Sequence, residues 1–208
     1  MGSPIIRKIA IVVGTSRLQG NGAGISAWLS SVVKRPLAAS SSDDTKPNYE
    51  LVVVDSTTPP LPIGPVLDGS YIPAQIRDPS KYATQPIRDW SHFVSSCSGF
   101  IFLTPEYNGG YPGPLKNAID HLCHEWQGKP AVVMSYGSKG GGGAAAQFKT
   151  VLEKLRVEVA EKSVQISVPR EFISGEHRVT PSAEFLSDYK VPVEQATEDL
   201  LKLIQDKA

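Results

Sequence analysis

A chain of 208 residues is long enough to bury a substantial core and fits one domain, expected over residues 1–208. Lys plus Arg and Asp plus Glu each total 21, so the formal net charge is zero, which gives no support to nucleic-acid binding with its need for a basic face. No apolar stretch approaches the ~20 residues of a membrane span. The opening Met1-Gly-Ser-Pro-Ile-Ile-Arg-Lys8 is too short and too soon charged for a secretory leader, and Ile6 stands where N-myristoylation of Gly2 needs a hydroxyl residue.

The first apolar run, Lys8 to Val13, is short and mostly β-branched, the pattern of a strand buried on both faces. Gly14-Thr-Ser-Arg-Leu-Gln-Gly-Asn-Gly22 follows, and then Ile25, Trp28, Leu29, Val32 and Val33 mark one face of a helix that Pro36 is expected to stop. Leu37 to Asn48 reads as a surface loop, and Tyr49 to Asp55 as the second strand. A proline-rich connection, Ser56 to about Ala83, carries Pro59, Pro60, Pro62, Pro65, Pro73 and Pro79. Ile87, Trp90, Phe93, Val94 and Cys97 predict a second helix over Gln85–Cys97, with His92 on its solvated side.

Phe100 to Leu103 predicts a third buried strand that stops at Thr104-Pro105. After the loop Glu106-Tyr-Asn-Gly-Gly110, Pro114 starts a helix with Leu115, Ala118, Ile119 and Leu122 on one face. His121 and His124 fall three apart there, beside Asp120 and Glu125; no third ligand is apparent, so no metal site is expected. Ala131–Ser135 is the fourth strand, followed by Tyr136-Gly-Ser-Lys-Gly-Gly-Gly-Gly-Ala-Ala145 and a helix with Phe148, Val151, Leu152 and Leu155. Ser163–Val168 is the fifth strand, Pro169–Tyr189 an irregular segment, and Val191–Ile204 a closing helix with Val193, Ala196, Leu200 and Ile204 inward. Cys97 and Cys123 have no metal-like spacing and read as buried free thiols, which fits a reducing, cytoplasmic compartment.

Three of the loops have ligand-like chemistry. In Gly14–Gly22, backbone N–H groups at a helix start, the Thr15 and Ser16 hydroxyls and the Arg17 guanidinium suit a phosphate. The stretch is neither a Walker motif nor Gly-x-Gly-x-x-Gly. In Pro105–Asn108, backbone N–H groups and an Asn amide suit the edge of a flat heteroaromatic ring, with Pro105 and Tyr107 on its face. In Tyr136–Gly141, successive glycines let the backbone approach a ligand. The same residues serve equally well as ordinary turns, where Asn and Gly supply geometry alone.

Thr104-Pro-Glu-Tyr-Asn108, then Gly110-Tyr-Pro-Gly-Pro-Leu-Lys-Asn-Ala-Ile-Asp120, resembles the flavin-contacting segment of the NAD(P)H-dependent FMN reductases, which include quinone reductases and azoreductases. His124-Glu-Trp-Gln-Gly-Lys-Pro-Ala131 and Ser135-Tyr-Gly137 are similar to their eukaryotic quinone reductase branch, and Gly14-Thr-Ser-Arg17 is similar to the family's Gly-Ser-x-Arg phosphate loop, with Thr15 where Ser is usual. The resemblance implies a flavodoxin-like α/β fold: a doubly wound, five-stranded parallel sheet of order 2-1-3-4-5 with helices on both faces. In that order strands one, three and four are neighbours, so the three loops would meet at one end of the sheet.

It also implies FMN, with its phosphate on Thr15, Ser16, Arg17 and Asn21, and its ring between Pro105, Glu106, Tyr107 and Asn108 on one side and Ser135, Tyr136, Gly137 and Gly140 on the other. Glu106 would act mainly through its backbone, and backbone N–H groups would stabilise negative charge near the ring's N1 and C2 oxygen. The flavin carries the chemistry, with no catalytic side chain required. NADPH or NADH would donate, and a quinone, free flavin or azo compound would accept at the same site, a ping-pong scheme. Lys139 is a candidate attractor for the dinucleotide phosphate. A homodimer or dimer of dimers is expected from the resemblance. His121, His124 and Trp126 would lie at its interface, and the connection after the second strand, through Leu61, Tyr71 and Ile72, would shape the flavin entrance and meet the partner. The competing expectation is a non-enzymatic FMN-binding electron carrier or interaction protein on the same fold. The zero net charge differs from the acidic surface of a flavodoxin-type shuttle, and an iron–sulfur flavoprotein would need cysteines this chain lacks.

Overall fold

Continuous apolar sequence makes the centre of the sheet. The computed structural model describes residues 6–17, 19–41, 47–61, 63–64 and 70–207. In β1 (Ile6–Val13), β3 (Cys97–Pro105) and β4 (Pro130–Gly137), almost every residue is buried along the inner run, as a strand covered on both faces requires. β2 (Asn48–Val54) is largely half-exposed and sits at the edge. All pairings are parallel, in the order β2-β1-β3-β4. The next position is filled by two short strands. A further short strand, β5 (Glu158–Val159), pairs with Pro130–Ala131, and β6 (Val164–Ser167), the expected fifth strand, pairs with Met134–Gly137, so two strands share that position along the length of β4.

Alternate residues of one strand enter different cores. Ile9, Ile11, Val13, Ile101, Leu103, Val132 and Met134 face α1 (Asn21–Ser40) and, at the C-terminus, α6 (Lys190–Gln205), in an aliphatic core. Ala10, Val12, Phe100, Phe102, Ala131 and Val133 face α2 (Gln85–Ser96), α3 (Gly113–Asp120) and α4 (Gly142–Lys154). That second core is aromatic. Trp126 meets Trp90 at 5.9 Å and Phe100 at 5.2 Å in edge-to-face contacts, and Phe148 meets Phe102 at 5.1 Å. Such pairs add about 0.5–1.5 kcal/mol beyond burial.

Several local expectations are corrected. Pro36 does not end α1; the helix runs on to Ser40, with Pro36 and Leu37 buried. Burial of Leu37 beside the partly buried Tyr49 and Leu51 of β2 offsets the backbone hydrogen bond that proline removes. Cys97 opens β3 instead of closing α2. α3 ends at Asp120, so His121 and His124 do not share a helix face; His124 lies in a separate 3-10 turn, His124–Trp126. His121 is 2% and Trp126 0% exposed within the chain, so neither is presented to a partner subunit. His121 Nδ1 lies 2.6 Å from the Asn117 carbonyl oxygen, and His124 Nε2 2.8 Å from that of Ala74. Cys123 is half-buried and non-helical, whereas Cys97 is buried; both are free. The segment after β6 is not wholly irregular: α5 (Arg170–Ser174) and a 3-10 turn, Glu184–Tyr189, lie within it. Leu61 is buried in the chain's own core, while Tyr71 and Ile72 are exposed. The expectations for Gly2, for residues 42–46 of the serine-rich loop and for Pro62 and Pro65 lie outside the described residues. Among the described residues no helix is long and apolar enough to cross a membrane.

Candidate functional site

The loops after β1, β3 and β4 meet at the carboxyl end of the sheet, as their strand order demands. Gly14 donates its backbone N–H to the Leu103 carbonyl at 2.8 Å, tying the first loop to β3; a Cβ there would come within 2.8 Å of Leu115. Thr15 is buried, and its hydroxyl oxygen lies 2.7 Å from the Tyr107 hydroxyl. It also accepts the Arg17 backbone N–H at 3.1 Å. The Arg17 guanidinium lies over the Tyr107 ring, 4.0 Å from its centroid. The loop ends at Gly20, the N-cap of α1, where no side chain caps the helix and no acidic residue occupies its first turn. The amide-rich start of this long helix therefore keeps its positive partial charge.

In the second loop, Tyr107 and Gly110 exchange backbone hydrogen bonds at 2.8 and 3.1 Å. Asn108 (φ 53) and Gly109 (φ 82) between them are both left-handed, the Asn-Gly pattern of a tight two-residue turn. Asn108 is thus placed for turn geometry and is exposed. The Glu106 carboxylate accepts the Ala144 backbone N–H at 3.1 Å, so it caps α4. In the third loop, Ser135 is fully buried and donates its hydroxyl to the Gly140 carbonyl at 2.8 Å. Gly140 and Gly141 carry φ of 80 and 75, which let the chain turn sharply into α4. Burial holds the Tyr136 hydroxyl well above its ordinary pKa, so it stays protonated.

These loops line one cleft of about 460 Å³. It brings together Thr15, Arg17, Asn21, Pro105, Glu106, Tyr107, Tyr136 and Gly137 from the expected set. Ser16, Asn108, Ser135 and Gly140 do not line it; the last three shape the turns behind it. Lys139 is exposed outside its lining. The unforeseen part is the far wall, made by Val168, Phe172, Ile173 and Arg178. Asn21 builds that wall. Its Nδ2 donates to the Phe172 carbonyl at 2.8 Å, and its Oδ1 accepts the Val179 N–H at 3.0 Å. Gly24 lets the wall approach, since a Cβ there would lie 1.8 Å from the Val179 oxygen. A glycine in the first turns of an amphipathic helix, costly beside alanine, was the one sequence signal of this contact.

The cleft volume falls within the usual 300–1,000 Å³ of small-molecule sites. Guanidinium groups and a helix start supply an anion end, and Pro105, Tyr107 and Tyr136 supply flat apolar surface. The donor set fits a phosphorylated heteroaromatic cofactor. Among the described residues, no group of three or more His, Cys, Asp or Glu is placed to hold a metal ion.

Comparisons with known proteins agree with this geometry. Residues 7–168 match the family model described as NADPH-dependent FMN reductase. The chain is 35% identical over 181 residues to an NAD(P)H-dependent FMN reductase of Schizosaccharomyces pombe, covering 87% of this chain and 82% of that protein. It is 38% identical over 162 residues to an NAD(P)H-dependent FMN reductase of Saccharomyces cerevisiae, covering 78% and 81%. In fold it is similar to the NAD(P)H:acceptor oxidoreductase FerB of Paracoccus denitrificans, with a TM-score of 0.65 at 20% identity over 96% of this chain and 98% of that one.

Proposed function

The chain belongs to the NADPH-dependent FMN reductase family, and from that premise we propose that it is an FMN-dependent NAD(P)H oxidoreductase that reduces quinones or similar acceptors, free flavin and azo compounds included, in a ping-pong sequence. The observation that carries the reading is the cleft in which the loops after β1, β3 and β4 converge, lined by both arginine and aromatic side chains.

When bound, FMN supplies the redox chemistry, accepting a hydride from the nicotinamide and delivering the electrons to the acceptor. The protein holds and orients. Thr15 and Arg17, with the start of α1, would take the phosphate; Pro105 to Tyr107 and Tyr136 to Ser138 would flank the ring. Tyr136, kept protonated by burial, acts as neutral surface and not as a base. Glu106 spends its charge on the α4 terminus, which keeps a free carboxylate away from the ring. An open cleft favours two substrates using one face in turn. The same reading takes the protein as a cytoplasmic homodimer; the exposed Tyr71 and Ile72, on the segment before α2, support an apolar contact there.

An absorbance spectrum of purified protein tests this, followed anaerobically by NADPH and separately by NADH. A yellow protein that bleaches with either and recolours with a quinone is expected. A yellow protein that stays oxidised would make it a carrier, and a colourless one that takes up no added FMN would remove the flavin reading.

A further inference from the structure

We infer that Arg178 is a second phosphate-binding guanidinium of the cleft, working opposite Arg17. The inference rests on the flavin-reductase reading but concerns a residue beyond the matched family span, which stops at residue 168.

The far wall is fixed to the same helix start that lines the cleft. Asn21 opens α1, and its side chain grips both the Phe172 carbonyl and the Val179 N–H. Val179 is 4% exposed and packs in the core that α1 shares, with its oxygen against Gly24. Arg178 is one residue away, so its Cα lies about 3.8 Å from that of the anchored Val179. Its guanidinium is partly organised already. Nη1 donates to the Gly175 carbonyl at 2.7 Å and to the His177 carbonyl at 2.8 Å, which holds the turn, and Arg178 lines the cleft with its other guanidinium nitrogens outside these two bonds.

Charge in the cleft agrees. Among the described residues, no carboxylate forms an ion pair with Arg17 or Arg178. The one acid lining the cleft, Glu106, is turned to the α4 terminus. In a chain of zero net charge, two guanidinium groups and an uncapped helix start in one cleft form a local positive field. That field suits a phosphate ester, which the planar fork of arginine grips with parallel hydrogen bonds. Two ligands bring such a group: FMN through its terminal phosphate, and the nicotinamide dinucleotide through its phosphates.

The test compares FMN with riboflavin, which lacks the phosphate. Affinities of the apoprotein are measured by quenching of flavin fluorescence for wild type, Arg178→Ala and Arg178→Lys. We expect Arg178→Ala to weaken FMN by about tenfold or more while riboflavin is unchanged, with Lys recovering part of the loss. In the second arm, on FMN-saturated enzyme, a raised KM for NADH or NADPH at unchanged kcat with FMN affinity intact assigns Arg178 to the co-substrate's phosphates. An equal loss for FMN and riboflavin overturns the inference, because it reports collapse of the wall. So does no change in either arm. A wild-type apoprotein that binds neither flavin refutes the parent reading instead.

Discussion

On the sheet side of the cleft, the loops continue the strands that carry them. Gly14 N–H bonds Leu103 O, Glu106 N–H bonds Tyr136 O at 3.0 Å, and Thr104 and Pro105 are still in register with Ser135 and Tyr136. On the opposite side, residues 168–179 bond the sheet where Val168 N–H meets Gly137 O, and are held to α1 by one asparagine amide and by Val179 packed against it. The first wall moves only if the sheet moves. The second is tied to the sheet and to α1 by fewer hydrogen bonds, so its local opening is expected to cost less than that of the sheet-side wall. The proposed use of the cleft, one cofactor held while two substrates alternate, would draw on both kinds of wall.

The most damaging change should fall on the sheet side. Gly141→Val places a Cβ in a left-handed position, 2.9 Å from the Tyr136 oxygen and 3.1 Å from its nitrogen. A loss of about 3 kcal/mol or more, and a Tm lower by about 10 °C, is expected in thermal denaturation. A variant of wild-type Tm would mean that this wall is not fixed as described. Arg17→Ala should come next, weakening FMN binding by about 1.5–3 kcal/mol with the apoprotein Tm unchanged; titration with FMN reads it, and an unaltered affinity removes Arg17 from the phosphate site.

Asn21→Ala addresses the other wall. Losing two hydrogen bonds should cost about 2 kcal/mol locally. Amide exchange at Val179 should accelerate while the amides of β3 and β4 hold their rates. Equal acceleration everywhere would show that the two walls are one cooperative unit. The smallest effect is a control at the far end of β3. Burial pushes the Cys97 thiol from its ordinary 9.0 up to about 11. The folded state thus holds that proton more tightly than the unfolded state. Its contribution to stability is present below about pH 9 and is lost as pH rises through about 11. Native Cys97 should resist alkylation at pH 8 while the half-buried Cys123 reacts, and Asn21→Ala should leave that resistance intact.

The family motifs, the strands and the sheet-side loops were legible in the sequence because each rests on neighbours in the chain, and the strand order followed from the family resemblance. Continuous apolar runs mark Ile9–Val13 and Phe100–Leu103 as central strands, and the glycine-rich turns follow those strands directly. Side-chain direction was not legible. Ser135 points inward to Gly140 and Asn108 shapes its own turn, and composition cannot separate these uses from ligand contact. Pro36 broke the local rule because tertiary burial of Leu37 outweighed it. The far wall left only the glycine early in α1 as a trace, because its anchor is a single polar residue at a helix start, with no period to read.

That anchor has a consequence for the order in which the protein is made. The Asn21 contacts join residues 151 and 158 positions apart. The first loop and the aromatic core can assemble on a partly synthesised chain, but the cleft closes only after residues 172–179 have left the ribosome and folded back. Full-affinity flavin capture is therefore expected as a late event, and pulse-labelled exchange during refolding should protect the Val179 amide after those of β1 and β3.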